Sequence, residues 1–414
     1  MEFGLIGEHL GHSFSREIHG MLSSAPYELR ELSPSELPGF LKERKFRGVN
    51  VTIPYKRAVM EHLDALAPSA ELTGAVNTIV NDGGRLIGHN TDFDGFIALA
   101  RHSGIAFSGA RVVILGNGGA AAAVGAAART MGASFVRHAV RNICSELQLP
   151  IDKPDTWDGC DILVNATPVG MYPLWDSVPV DISSLKSLRG VLDCIYNPLR
   201  PKLILDARER SIAAEGGLYM LVAQAVRARE LFDSGSIPEE RTEEVFRHIL
   251  KGKRNLVLCG MPSSGKSTVG RELAACSGRR FVDTDEIIAL QAGMEIQEIF
   301  AREGEAGFRR RETAAIESIA AEQGLVIATG GGAVLSERNV QLMRMNGLLC
   351  LLQRSPELLT PTSDRPLSRN REAMEALYAK RLPYYRSAAE VTVSNNGPLK
   401  ATVDELLRYV DQRQ

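Results

Sequence analysis

Two glycine-rich turns limit what this chain of 414 residues can become. The first, Gly116-Asn117-Gly118-Gly119-Ala120-Ala121, follows the apolar residues 111–115 and leads into a long stretch of small residues. The second, Gly260-Met261-Pro262-Ser263-Ser264-Gly265-Lys266-Ser267, closes the apolar run 254–260 and leads into another helix-like stretch. A buried strand that turns on glycine straight into a helix belongs to a crossover unit, in which the helix returns the chain to a parallel neighbour. Both halves are therefore expected to be α/β, with parallel sheets covered by helices. Apolar runs alternate with helix-like segments along the whole chain, as this requires.

A chain of this length exceeds one ordinary core, so two domains are expected. The seam falls after Ser236, where Ile237 and Pro238 lead into residues 239–251, acidic at the start and basic at the end, the charge order that suits a helix dipole. The strand at 254–260 follows at once, leaving a linker of a few residues around 251–254. A softer division inside the first part lies near residues 95–109. The 44% hydrophobic and 24% charged residues are those of a folded soluble protein, which excludes disorder. A formal net charge of -2 offers no basic field for nucleic acid. The 6 cysteines are scattered without a CxxC pair and are expected to be reduced thiols in the cytoplasm. The first residues carry no basic and apolar leader, so no export is expected. The small-residue run 118–128 stops at Arg129, too short for a bilayer. Small molecules remain as partners, rather than nucleic acid or a membrane.

The turns themselves carry chemistry. The first reads GxGxxA: Gly116 makes the turn, Gly118 lets a pyrophosphate approach, Gly119 and Ala120 start the helix, and Ala121 allows close packing on the sheet. At the end of the next strand, where a site for NAD would place an acid, the residues are Val140-Arg141-Asn142. A cation there suits a 2′-phosphate, so NADP(H) is favoured, with Arg141 as its contact. The second turn fits GxxxxGK[ST]. Amides from Gly260 through Ser263, Ser264 and Gly265 to Ser267 and Thr268 would close around the phosphates of ATP, Lys266 would reach the outer phosphates, and Ser267 would ligate Mg²⁺.

Beyond the second turn stand Asp283-Thr284-Asp285, expected at the end of a strand with both carboxylates on one face. Gly307-Phe308-Arg309-Arg310-Arg311-Glu312 opens a helix, a buried strand at 326–329 ends in Gly330-Gly331-Gly332, and Arg365-Pro366-Leu367 and Lys380-Arg381-Leu382-Pro383-Tyr384-Tyr385 follow. In this order the motifs resemble shikimate kinase over residues 253–414. The resemblance implies that Asp285, Arg309, Gly331, Gly332 and Arg381 hold shikimate, that Arg365 lies on a lid over the transferring phosphate, and that Asp283 supports Mg²⁺. Arginine forks grip a carboxylate well, and Asp285 can orient and help deprotonate a hydroxyl. Arg310 and Arg311 are expected on a solvated face. Where the family places an arginine before its lid, this chain has Leu358, Leu359 and Thr360, and its lid is shorter, which bears on nucleotide affinity.

Upstream, Ser13-Phe14-Ser15, Asn50-Val51-Thr52-Ile53-Pro54-Tyr55-Lys56, Gly74-Ala75-Val76-Asn77-Thr78 and Asn90-Thr91-Asp92 each look like a turn. Together with Asn165-Ala166-Thr167-Pro168, Tyr196-Asn197-Pro198 and residues 217–224 they resemble shikimate dehydrogenase over residues 1–250. The resemblance implies a substrate lobe at 1–100 to which the last helices return and a Rossmann-type NADP-binding lobe at 105–215. It implies that Ser13 and Ser15 bind the substrate carboxylate, that Thr52, Asn77 and Gln224 hold its hydroxyls, that Tyr196 flanks it, that Gly217 lines the nicotinamide, and that Lys56 and Asp92 form the catalytic pair. A ketone receiving hydride develops negative charge on oxygen, and Lys56 can supply both a proton and a compensating charge while Asp92 orients it. Asn142 replaces a threonine common in the family, and a second basic residue is missing, a gap that Arg137 is a candidate to fill. His9, His12 and His19 match no metal spacing and are expected to be structural or solvent-facing.

The two halves converge on one metabolite, which the first would make and the second phosphorylate. The alternatives are a different polyol substrate for the same folds, or one half that is catalytically silent and regulates the other.

Overall fold

Strand propensity in this chain is concentrated in short apolar runs, and these assemble into three sheets. The computed structural model describes residues 1–10, 14–360 and 370–412; Ser13, His12 and Arg365 lie outside the described residues. The chain divides into two units, Met1–Ile249 and Leu250–Gln414.

The first unit holds two sheets. β1 (Phe3–Gly7), β2 (Tyr27–Glu31), β3 (Gly48–Val51), β4 (Ala65–Leu66), β5 (Thr78–Asp82) and β6 (Arg85–His89) form a mixed sheet in the order β2-β1-β3-β5-β6-β4. β5 runs antiparallel to both β3 and β6; Gly83 and Gly84, both at positive φ, turn it straight back into β6. Ile6, Val49, Val51 and Ile79 face a core shared with Leu37, Leu41 and Phe46. The helix Leu218–Asp233 returns to this sheet: Phe232 stacks on Phe3 with centroids 5.4 Å apart, and a Cβ on Gly48 would lie 2.1 Å from the Phe232 ring. It also lies against the helix Thr91–His102, where a Cβ on Gly95 would sit 2.8 Å from the Met220 carbonyl. Only glycine lets the two helices approach this closely.

The second sheet is wholly parallel: β7 (Arg111–Leu115), β8 (Phe135–Val140), β9 (Gln148–Pro150), β10 (Ile162–Asn165), β11 (Gly190–Asp193) and β12 (Ala213–Glu215), in the order β12-β11-β10-β7-β8-β9. The strand order reverses between β7 and β10, and the first glycine turn leaves β7 at that point, where open α/β sheets bind ligands.

The second unit has β13 (Asn255–Cys259), β14 (Arg280–Asp283), β15 (Leu325–Ala328), β16 (Gly347–Gln353) and β17 (Val391–Ser394), all parallel, in the order β14-β15-β13-β16-β17. Here the second glycine turn leaves the central strand. The helix Glu239–Lys253 takes in most of the linker expected at 251–254 and ends one residue before β13. No helix among the described residues is long and apolar enough to cross a membrane.

The core behind β1 contains an ionisable group. His19 is 1% exposed, stacked on Tyr27 at 3.9 Å, and its Nδ1 has no hydrogen-bond partner among the described residues. Burial first, and the nearby Arg229 guanidinium second, push its imidazole down to about 3, against a hydrogen bond with Asn50 that raises it. Below pH 6.5 the unfolded chain therefore takes up a proton that the folded one refuses, and stability falls as pH drops toward 3. By pH 5 the loss should reach about 2 kcal/mol. Urea unfolding at pH 7 and pH 5 tests this: His19→Gln should lose less stability than the wild type on acidification. Equal losses would remove His19 as the cause.

Candidate active sites

In the first unit, Ser15, Thr52, Lys56, Asn77, Asp92, Tyr196, Gly217 and Gln224 all border one cavity of about 460 Å³. The folding of each segment explains its place. β3 ends at Val51 and the turn after it carries Thr52 and Lys56, while Asn90 caps the helix Thr91–His102 by accepting from the Asp92 N–H at 3.1 Å. Asp92 thus sits in a helix's first turn, where the dipole favours a carboxylate. Lys56 Nζ donates to Asp92 Oδ2 at 2.6 Å, and the two side chains keep 21% and 12% of their surface exposed. The pair is short, charge-assisted and still open to a ligand.

Around it the polar groups are partly committed. Asn77 Oδ1 accepts from the Thr91 N–H at 2.7 Å and from Thr78 Oγ1 at 3.0 Å, which leaves the amide NH₂ as the group a hydroxyl can use. Gln224 Nε2 donates to the Leu221 carbonyl at 2.8 Å. Tyr196 lies against the Phe14 ring at 5.2 Å, and burial pushes its hydroxyl up. Asn50 and Cys194 also border the cavity, and sequence reasoning assigned neither. Asn50 Oδ1 accepts from Tyr27 OH at 2.7 Å and its Nδ2 donates to Thr78 Oγ1 at 3.0 Å, so it ties the cavity wall to the core. Its place at the head of the cluster with Thr52 and Lys56 was the available signal. Burial pushes the Cys194 thiol up, which argues against a nucleophile.

The glycine turn adjoins this cavity. Gly116 has φ 102°, and the helix Gly119–Thr130 starts two residues after Asn117. A Cβ on Gly118 would meet nothing within 4 Å, so the turn faces open space where a pyrophosphate could lie. A Cβ on Gly119 would lie 3.7 Å from Lys56 Cδ, and Ala120 borders the cavity. Gly217 backs onto Cys194, whose carbonyl oxygen would be 2.3 Å from a Cβ, so no side chain fits there. Arg141 is exposed just past the end of β8, the strand beside β7. Arg137 does not join it: its guanidinium stacks over Phe135, 4.4 Å from the ring centroid, and donates to the Val136 carbonyl. Its register partner is Val113, inside β7, short of the edge where the turn lies. His138, which no motif marks, reaches that edge, with Nδ1 3.0 Å from the Gly116 carbonyl.

In the second unit Gly260 and Gly265 take φ 146° and 89° and bend the chain into the helix Lys266–Ser277. Lys266 Nζ donates to the carbonyls of Gly260 at 3.0 Å and Met261 at 2.8 Å, which keeps the ammonium inside the loop. Ser263 Oγ donates to the Thr360 carbonyl at 2.8 Å, Ser264 is buried and Thr268 is exposed. Asn395, just past β17, was not foreseen; its Nδ2 donates to the Ser264 carbonyl at 2.8 Å and braces the loop. A polar pair after a short strand was the only hint.

The carboxylates at 283 and 285 do not share a strand face. β14 ends at Asp283, whose Oδ1 accepts from the Asp285 N–H at 3.0 Å and caps the helix Thr284–Ala292. The cap turns the chain, so Asp283 Oδ2 accepts from Ser267 Oγ at 2.7 Å while Asp285 lies in the helix's first turn. Ser267 and Asp283 are oxygen donors of the kind Mg²⁺ takes. No group of three or more metal-binding side chains occurs among the described residues, so such an ion would draw its other ligands from water and phosphate.

Asp285 and Glu312 flank Gly330: a Cβ there would lie 2.8 Å from Asp285 Oδ1 and 2.7 Å from Glu312 Oε1. Glu312 is fully buried, and burial raises its carboxyl despite the opposing Arg309 charge. The long helix Ile296–Ala320 breaks at Gly304 (φ 68°), so the segment with Arg309 and Glu312 starts afresh after it. Arg309 lies flat on Gly332, where a Cβ would be 2.2 Å from its Nη1. Arg381 Nη1 donates to the Gly331 carbonyl at 2.9 Å, and Tyr385 OH donates to the same oxygen. Glu312 and Tyr385 stood inside recognised motifs without an assigned part. Arg311 is not merely solvated: its Nε and Nη2 grip Glu303 across the Gly304 break. Leu358 is exposed and Leu359 buried. A phosphate cradle beside a carboxylate and two guanidinium groups suits phosphoryl transfer to a hydroxyl of a small anion.

Comparison with known proteins follows the same division. Residues 5–79 match the family described as shikimate dehydrogenase substrate binding domain, and residues 262–411 match the family described as shikimate kinase. The shikimate dehydrogenase (NADP(+)) of Clostridium beijerinckii is 35% identical over 265 residues, which span 59% of this chain and 97% of that protein. The crystal structure of shikimate 5-dehydrogenase from Thermus thermophilus in complex with NADP(H) and shikimate is 32% identical, covers 60% of this chain and 99% of its own, and superposes with a TM-score of 0.54. A chorismate mutase/shikimate 5-dehydrogenase fusion protein from Clostridium acetobutylicum is 34% identical, with a TM-score of 0.57 over 60% of this chain and 96% of that one.

Proposed function

Because the chain belongs to the shikimate dehydrogenase family and carries a shikimate kinase domain after it, we propose that it performs two successive reactions of aromatic biosynthesis: NADPH-dependent reduction of 3-dehydroshikimate to shikimate, then transfer of the γ-phosphate of MgATP to the shikimate 3-hydroxyl. The observation that carries the first step is the Lys56–Asp92 pair, 2.6 Å apart at the edge of a cavity that the glycine-turn helix also borders. The turn, the exposed Arg141 and the side-chain-free surface at Gly217 fit a phosphorylated dinucleotide, which when bound supplies the hydride. Lys56 gives its proton to the oxygen of the reduced ketone, and Asp92 keeps the ammonium aimed and its charge balanced. Ser15, with Ser13, holds the substrate carboxylate; Thr52, Asn77 and Gln224 hold the ring hydroxyls and Tyr196 flanks the ring.

In the second unit the loop amides, Lys266, Ser267 and Thr268 hold ATP, and Ser267 with Asp283 holds Mg²⁺. Arg309 and Arg381 grip the shikimate carboxylate against Gly331 and Gly332. Asp285 takes the proton from the attacking hydroxyl, and Arg365 neutralises charge on the phosphate in flight.

The test is a coupled assay of the whole chain with 3-dehydroshikimate, NADPH, ATP and Mg²⁺, following NADPH loss and ADP formation separately. Both signals, with shikimate 3-phosphate accumulating, are expected. NADPH loss without ADP would remove the kinase assignment, and ADP from added shikimate without NADPH loss would remove the dehydrogenase assignment.

A further inference from the structure

Arg309, the guanidinium assigned above to the shikimate carboxylate, is already holding carboxylates. Its Nη1 donates to Glu312 Oε2 at 2.8 Å and its Nη2 to Glu305 Oε1 at 3.2 Å. The two acids differ in kind. Glu312 is fully buried, pinned under Gly330, and fixes the guanidinium against Gly332. Glu305 is 53% exposed and lies one residue past the Gly304 break, where a φ of 68° that only glycine takes readily turns the chain and restarts the helix. The break sets Glu305 one helical turn before Arg309, at the (i, i+4) spacing that lets the side chains meet.

A guanidinium grips a carboxylate in a bidentate way through Nη2 and one of its two neighbouring nitrogens, so every such grip uses Nη2. Glu305 takes up one of the two N–H groups of that nitrogen and sets a negative charge beside it, while Glu312 holds Nη1. We propose that Glu305 is a built-in competitor for the substrate carboxylate: it holds Arg309 when the site is free, competes for Nη2 when shikimate binds, and so weakens the apparent affinity for shikimate without taking part in phosphoryl transfer. Glu305 acts only through Arg309 and is a positioning residue. Its exposure lets it swing into water once displaced, whereas Glu312 has nowhere to go. An exposed pair of this spacing is weak, so the competition is modest. The inference rests on the kinase reading of the second unit.

The experiment is steady-state kinetics of ADP formation by the whole chain with shikimate and MgATP, comparing the wild type with Glu305→Gln and Glu303→Gln. Glu303 is two residues away and paired with Arg311, so it controls for the loss of one negative charge near an anionic substrate. Glu305→Gln should lower KM for shikimate about twofold to fivefold, leave kcat within about twofold, and leave KM for ATP unchanged. Glu303→Gln should leave KM for shikimate unchanged. An unchanged or raised KM in Glu305→Gln would overturn the inference, and so would an equal drop in both variants. A wild type that forms no ADP with shikimate would instead remove the kinase reading, and the inference with it.

Discussion

Replacing Lys56 with alanine should lower turnover in 3-dehydroshikimate reduction about a thousandfold, within the range a positioned proton donor contributes, while kinase turnover of the same protein stays within about twofold. Two physical effects add. The alkoxide loses its proton source, and Asp92, partly buried and only 2.6 Å from the missing ammonium, is left as an uncompensated negative charge facing the developing one. NADPH consumption and ADP formation from added shikimate, measured side by side on one preparation, decide the matter. A small drop would mean that another group delivers the proton. Parallel loss of both activities would mean that the change damages the fold or that the halves depend on each other. Asp92→Asn separates orientation from proton supply: Lys56 remains, so the loss should be smaller, roughly a hundredfold.

Much of this was readable because it depends on local chemistry. A glycine turn between a buried strand and a helix dictates its own geometry, and both turns lie at the point where their sheet's strand order reverses. Lys56 and Asp92 each looked like part of an ordinary turn, and only the resemblance of the whole order of clusters to shikimate dehydrogenase paired them; the structure brings the two side chains within 2.6 Å. What stayed hidden depends on direction and distance. Arg137 and Arg141 look alike in a string of residues, yet one turns onto Phe135 and the other stands beyond the strand. The Asp283 cap is a single hydrogen bond that decides whether two carboxylates lie on a strand face or on either side of a helix start. Asn395 braces a loop 131 residues away in the chain, and no spacing rule reaches that far. His19 is similar: its spacing rejects a metal, but only the packing of Tyr27 and Arg229 around it makes it an acid-labile point in the core.

Asp285→Asn should lower kinase turnover about a thousandfold and leave reduction unaffected. Three acids stand near the proposed acceptor, and their surroundings assign them different tasks. Asp283 spends one oxygen on the Asp285 N–H and the other on Ser267 Oγ, which suits support of a metal and not proton abstraction. Glu312 is fully buried and bound to Arg309 at 2.8 Å, which suits orientation of that guanidinium. Asp285 lies beside Gly330 at the mouth of the glycine run, close enough to Glu312 that its charge helps raise the Glu312 carboxyl. Asparagine keeps the shape and can still accept a hydrogen bond, but it cannot take a proton, so the loss should appear in kcat with KM for shikimate changed only severalfold. Asp283→Asn should instead be partly rescued by raised Mg²⁺, since its defect lies in holding the ion. If Asp285→Asn kept most of its kcat and Glu312→Gln did not, the base would have to be the buried acid. Arg309 would then lose its anchor at each turnover as Glu312 took up the proton, an arrangement that makes substrate grip and proton transfer compete for one carboxylate, whereas Asp285 as the base would keep the two tasks apart.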